Sequence, residues 1–83
     1  MSTLKSNTIE FSALAADVKI DDELLTVHLT DGRIISVPIA CFPKLLNATS
    51  SQRKKWRLIG RGQGISWEEL DEDLSVAGLL RVQ

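Results

Sequence analysis

The stretch Leu24-Leu25-Thr26-Val27-His28-Leu29-Thr30-Asp31-Gly32-Arg33-Ile34-Ile35-Ser36-Val37 constrains the fold more than any other part of the chain. Apolar side chains alternate at Leu25, Val27 and Leu29, and again at Ile35 and Val37. That is the period of strands with one buried face. Asp31-Gly32 between the two runs is a strong turn signal, so the stretch reads as a β-hairpin. Two registers compete. A two-residue Asp-Gly loop pairs Leu29 with Ile34 and Val27 with Ser36, which sets a serine on the apolar face. A three-residue loop, Thr30-Asp31-Gly32, pairs Leu29 with Arg33, Val27 with Ile35 and Leu25 with Val37. The second keeps the apolar set together, and Gly32 takes the left-handed position of a bulged turn without steric cost. A one-residue slip would turn one strand's apolar side chains to water, so the second register is preferred.

Elements flanking the hairpin supply its cover. Ala16-Asp17-Val18-Lys19-Ile20 alternates and reads as a first strand, joined through Asp21-Asp22-Glu23 into an antiparallel meander. Pro38 ends the third strand or sits at its edge, having no N–H for a ladder. Pro43 suits the first position of a short helix, Pro43 to Asn47. Thr49 and Gln52 match a capping box for a second helix, Ser50 to about Trp56, anchored by Trp56. Arg57-Leu58-Ile59 and Gly64-Ile65-Ser66-Trp67 read as two more short strands. Trp67, Leu70 and Leu74 follow helical spacing, and Ser75 is placed to cap a last helix carrying Val76, Leu79 and Leu80. The fold class is α+β: a small antiparallel β-meander or hairpin sheet with two to three short helices packed on one face. Residues 1–15 form an N-terminal tail, with Ile9 and Phe11 tacked onto the body, and residues 16–81 a single domain. The expected core contains Val18, Leu25, Val27, Leu29, Ile35, Val37, Leu45 and Trp67.

A chain of 83 residues makes one domain and buries only about 60% of its unfolded surface, so its core is limited. Net charge of −1 excludes a broadly basic nucleic-acid binder but leaves room for a local patch. Cys41 is the only cysteine, so no intramolecular disulfide forms and a reducing cytoplasm suits the chain. No signal peptide is expected, for want of the apolar run of about 7–15 residues it requires. No apolar run approaches the ~18 residues of a membrane span.

Candidate chemistry is sparse. His28, the only histidine, sits on the polar face of a strand with no evident orienting group or nucleophile. Cys41 lies in an apolar stretch and is expected to be packed and inert. One Cys and one His cannot build a zinc site without outside ligands. Gly60-Arg61-Gly62-Gln63-Gly64 lacks the Gly-Lys-Ser/Thr ending of a phosphate loop and is followed by a strand-like segment, so it reads as a turn. Asp71-Glu72-Asp73-Leu74-Ser75-Val76 imitates a calcium loop, but Val76 stands where that loop needs glycine. No catalytic residue, metal site or cofactor is expected. Charge is distributed unevenly. Arg53, Lys54, Lys55, Arg57 and Arg61 are five of the ten basic residues, and Glu68, Glu69, Asp71, Glu72 and Asp73 are five of the eleven acidic ones. Such runs are usually solvated faces. The functional reading is a polarised surface whose basic part binds a phosphate backbone or an acidic partner, with Trp56 beside it to stack on a base.

Leu25-x-Val27-x-Leu29-x-Asp31-Gly32-Arg33, Ile35-x-Val37, Phe42-Pro43-x-Leu45-Leu46, and Ile65-x-Trp67 with the acidic run ending in Leu79-Leu80 resemble the small bacterial domain-of-unknown-function 2442 family. The resemblance covers residues 16 to 81. It implies a compact α+β domain without known catalytic residues, and a partner among small toxin-like proteins. It carries no functional residue over. Some relatives carry a helix-turn-helix domain after this one; none is expected here. The resulting expectation is a non-enzymatic protein-interaction module, antitoxin-like or regulatory, docking to a protein partner or to itself as a homodimer. The alternative is a nucleic-acid-binding regulator using residues 53–61, although tight sequence-specific binding is not expected.

Overall fold

The protein's structure is a computed structural model that describes residues 13–81. Most of the expected tail, with Ile9 and Phe11, lies outside the described residues. Strands β1 (Ala15–Ile20), β2 (Leu24–Leu29) and β3 (Ile34–Pro38) form an antiparallel sheet in the order β1-β2-β3. Its register is the one the hydrophobic pattern favours, with Val27 opposite Ile35 and Leu25 opposite Val37. The Leu29 N–H donates to the Arg33 carbonyl at 2.8 Å, and the Gly32 N–H to the Leu29 carbonyl at 3.1 Å. Gly32 sits at φ +95°, as a bulged loop requires. The β1–β2 turn is held by Asp21, whose Oδ1 accepts from the Glu23 and Leu24 N–H groups at 2.7 Å each.

Pro38 ends β3 and a 3-10 turn, Ile39–Cys41, follows. Ile39 and Phe42 take the inward positions there, which leaves Cys41 exposed rather than packed. Helix α1 (Pro43–Leu46) begins with proline at its first position. Helix α2 (Ser50–Arg53) has the full capping box: Thr49 Oγ1 accepts from the Gln52 N–H at 3.0 Å, and Gln52 Oε1 accepts from the Thr49 N–H at 2.9 Å. It is shorter than expected. The chain leaves the helix at Lys54, and the buried anchor is Arg53, while Trp56 is only half-buried against the core.

A second antiparallel sheet contains β4 (Arg57–Ile59), β5 (Gly64–Trp67) and β6 (Glu72–Ser75), in that order. The segment with helical spacing at Trp67, Leu70 and Leu74 is therefore a strand in its second half. A 3-10 turn, Glu68–Leu70, ends at Asp71 in the left-handed conformation, φ 52°. That reversal stops any helix and returns the chain alongside β5, with Leu74 opposite Ile65. A spacing of four between Leu70 and Leu74 fits a strand's even period as well as a helix's, which is why the pattern misleads. Helix α3 (Val76–Arg81) closes the described chain. Ser75 Oγ accepts from the Gly78 N–H at 2.9 Å, as expected of a capping serine.

One core cluster joins the two sheets. All eight expected core residues belong to it, each 5% exposed or less. Ala13, Ala15, Ile39, Phe42, Ile65, Val76 and Leu79 complete it. No described helix is long and apolar enough to cross a membrane.

The glycine-rich turn links the sheets. Gly62, at φ +99°, lies so close to β1 that a Cβ would stand 2.6 Å from the Ala15 carbonyl oxygen. Gly62→Ala is expected to cost about 2–3 kcal/mol, from left-handed strain plus the clash with backbone. Gly32→Ala is the control: its φ is +95° but nothing lies within 4 Å of an added Cβ. It should cost about 1–2 kcal/mol. Equal urea midpoints for the two variants would contradict the contact between Gly62 and β1.

Candidate functional site

The basic run does not form one exposed patch. Arg53 is 8% exposed. Its Nε donates to the Leu45 carbonyl at 2.8 Å and its Nη2 to the Leu46 carbonyl at 2.9 Å, both at the C-terminal end of α1, where the Leu45 carbonyl also accepts from the Ala48 N–H at 3.2 Å. Its Nη1 meets Asp22 Oδ1 at 2.9 Å, and its own carbonyl accepts from Trp67 Nε1 at 2.9 Å. This arginine ties α1, α2, the β1–β2 turn and β5 together. Lys55 pairs with Glu69 at 3.0 Å and Arg57 with Glu68 at 2.6 Å. The antiparallel β4–β5 pairing brings the basic and acidic runs onto neighbouring positions, so they partly neutralise each other. Among the described residues, Lys54 and Arg61 are the members of the run with no ion pair.

Three carboxylates titrate below their ordinary range. Asp21 is lowered by the N–H groups of Leu24 and Glu23. Asp31 is lowered chiefly by the Arg33 N–H and then by its side chain. Glu69 is lowered by its hydrogen bond to Lys55. A depressed folded pKa contributes stability that is complete above the unfolded value and is lost as pH falls through the folded one. Stability should therefore decline once the pH drops below the ordinary carboxylate range. Asp21→Asn keeps an oxygen acceptor for the turn but removes one titration, so its acid decline should be shallower. An unchanged slope in urea titrations between neutral and acid pH would count against this linkage.

His28 is half-buried on the outer face of the first sheet, opposite Asp17 and Ile34. Among the described residues, no group of three or more His, Cys, Asp or Glu side chains could hold a metal ion. In the glycine-rich turn, Gly60, Arg61 and Gly62 all have positive φ, and Gly64 then opens a strand. A phosphate loop would lead into a helix at that point.

Strand edges are more informative. At β1 a bulge lies between Ala15 and Asp17, and the Val18 N–H is taken by Asp17 Oδ1 at 2.8 Å. This edge is blunted. At β6 the edge is open. The Val76 N–H donates to the Gln63 carbonyl at 2.9 Å. By the alternation of an antiparallel ladder, Leu74 and Glu72 then face β5, while the main-chain groups of Asp73 and Ser75 face outward; the Asp71 N–H is taken by the Glu68 carbonyl at 3.2 Å. Lys44 Nζ occupies the Asp71 carbonyl at 2.7 Å. The Asp73 N–H and C=O and the Ser75 N–H remain along the edge. A shallow hollow of about 340 Å³ lies beside it, bounded by Ile59, Gly64, Gln63 and Ser75. Another of about 280 Å³ is bounded by Phe42, Leu74 and Leu79. Asp73, Leu74 and Ser75 line both hollows. In sequence this edge is hidden by the helical spacing of Trp67, Leu70 and Leu74. The alternation of Asp73 and Ser75 with Leu74 and Val76 was the available signal.

Residues 15–82 match the model of a family described as protein of unknown function, DUF2442. No curated protein matches the chain. A crystal structure of a protein of unknown function from Rhodospirillum rubrum is similar at 30% identity and a TM-score of 0.75, covering 84% of this chain and 87% of that one. A solution structure of an uncharacterised protein from Chromobacterium violaceum shares the fold at 23% identity and a TM-score of 0.70, covering 82% of this chain and 64% of that one.

Proposed function

We propose, on the premise that the chain belongs to the DUF2442 family of proteins of unknown function, that it is a non-enzymatic protein-interaction module, antitoxin-like or regulatory, working in the cytoplasm. Its partner in this reading is another polypeptide, either a second copy or a small toxin-like protein. The observation that carries the reading is the open edge of β6. Unpaired main-chain groups flanked by shallow apolar hollows suit the addition of an extended segment, with hydrogen bonds supplying affinity and the hollows taking side chains. The single His and single Cys lie on separate elements, β2 and the 3-10 turn, which gives catalysis no shared centre.

Sedimentation across concentrations and co-expression with neighbouring gene products test the reading. The expected result is a complex in which the amides of Asp73 and Ser75 become protected from exchange. A chain that stays monomeric throughout and retains no co-expressed protein would refute it. The nucleic-acid alternative lacks a comparable observation, because Arg53 is buried and Lys55 and Arg57 are paired. Any DNA binding should be weak and fall steeply with added salt, and nanomolar sequence-dependent anisotropy near physiological salt would reverse that judgement.

A further inference from the structure

We infer that the segment received by the β6 edge is a basic, extended stretch of a different protein and not a second copy of this chain. The inference rests on the docking reading above and specifies the partner. Asp71, Glu72 and Asp73 are the carboxylates of β6 and its entry. None of them has an ion pair among the described residues, whereas Glu68 and Glu69 are paired with Arg57 and Lys55. Asp71 and Asp73 are exposed and Glu72 is half-buried. The edge that offers free hydrogen-bonding groups therefore also carries three carboxylates without an ion pair, with the single ammonium of Lys44 held at the Asp71 carbonyl beside them.

This favours a different protein over a second copy. An antiparallel two-fold pairing of β6 with itself sets Asp73 against Asp73 when centred there, and when centred on Leu74 leaves the two Asp73 side chains diagonal neighbours, so either register brings two copies of the same acidic run together. Like charges directly opposite in a ladder are destabilising. A strand with Lys or Arg at alternate positions meets the same main-chain groups and finds opposite charges instead. Its intervening side chains fall on the face of Leu74, toward the hollow at Phe42 and Leu79.

Panning a displayed library of random nonapeptides on the immobilised full chain tests the inference, with amide shifts locating the bound peptides. Enriched peptides should carry Lys or Arg at alternate positions and shift the Asp73 and Ser75 amides. Asp71→Asn, Glu72→Gln and Asp73→Asn combined should weaken them roughly tenfold while leaving the folded spectrum intact. Peptides that shift the same amides without a basic bias would overturn the charge inference and leave edge docking standing. Failure to enrich any peptide that contacts β6 would overturn the inference. So would a dimer of the wild-type chain that protects the β6 amides. Edge docking itself would then be judged by the co-expression result.

Discussion

Arg53→Ala is expected to lower the unfolding free energy by about 2–4 kcal/mol, from the lost charged hydrogen bonds to main-chain carbonyls and the space the side chain leaves. In a domain this small that is a fall in Tm of roughly 10 °C or more. The guanidinium donates to the carbonyls of Leu45 and Leu46 and to Asp22, so its removal leaves the Leu46 carbonyl without this donor, leaves the Leu45 carbonyl only its main-chain bond from the Ala48 N–H, and opens a cavity beneath α2. Asp22 contributes little to this sum. Its side chain is 87% exposed, so water replaces the arginine there. Asp22→Asn should cost less than ~1 kcal/mol. Arg53→Lys keeps the charge but cannot reproduce the planar fork that reaches both carbonyls, and should remain at least ~2 kcal/mol below wild type. Denaturation midpoints separate the cases. A large loss in Asp22→Asn with a small one in Arg53→Lys would show that the ion pair, and not the carbonyl contacts, holds the arginine in place.

Arg53 also marks where sequence reasoning stops. In sequence it is one of a run of cations, and nothing local separates it from Lys54 and Lys55. Its burial depends on α1 ending close by with carbonyls turned to accept from it, a relation across the chain that no period reports. The hairpin was legible because its information is local: a turn with one workable register and two apolar alternations that must meet. The capping box at Thr49 and Gln52 was legible for the same reason. The second sheet was half legible. β4 and β5 showed as short β-prone runs around glycines, but β6 was hidden because Leu70 and Leu74 satisfy two periods at once. Losing β6 to a helix also hid the open edge, and left the acidic run looking like a solvated face separate from the basic one. Pairing of Lys55 with Glu69 and of Arg57 with Glu68 follows only once the strands are placed side by side.

Val27→Asp is expected to unfold the domain. Val27 is 1% exposed, with Val18 opposite it on one side and Ile35 on the other. A carboxylate there has apolar neighbours and no partner, a cost of more than ~4 kcal/mol against a total stability near the low end of about 5–15 kcal/mol. Far-ultraviolet circular dichroism should show loss of sheet at room temperature. This variant tests the burial of β2 but not the register of β3, because a slip of β3 leaves Val27 facing inward. The register is read from adjacent isoleucines. In the two-residue loop Ile34 would pair with Leu29 and face the core. In the observed three-residue loop Ile34 lies across from His28 at 59% exposure, while Ile35 is 3% exposed. Ile35→Asp should therefore behave like Val27→Asp, and Ile34→Asp should stay folded within ~1 kcal/mol of wild type. If Ile34→Asp unfolds and Ile35→Asp does not, the strand is slipped by one residue and every side-chain assignment on β3 reverses.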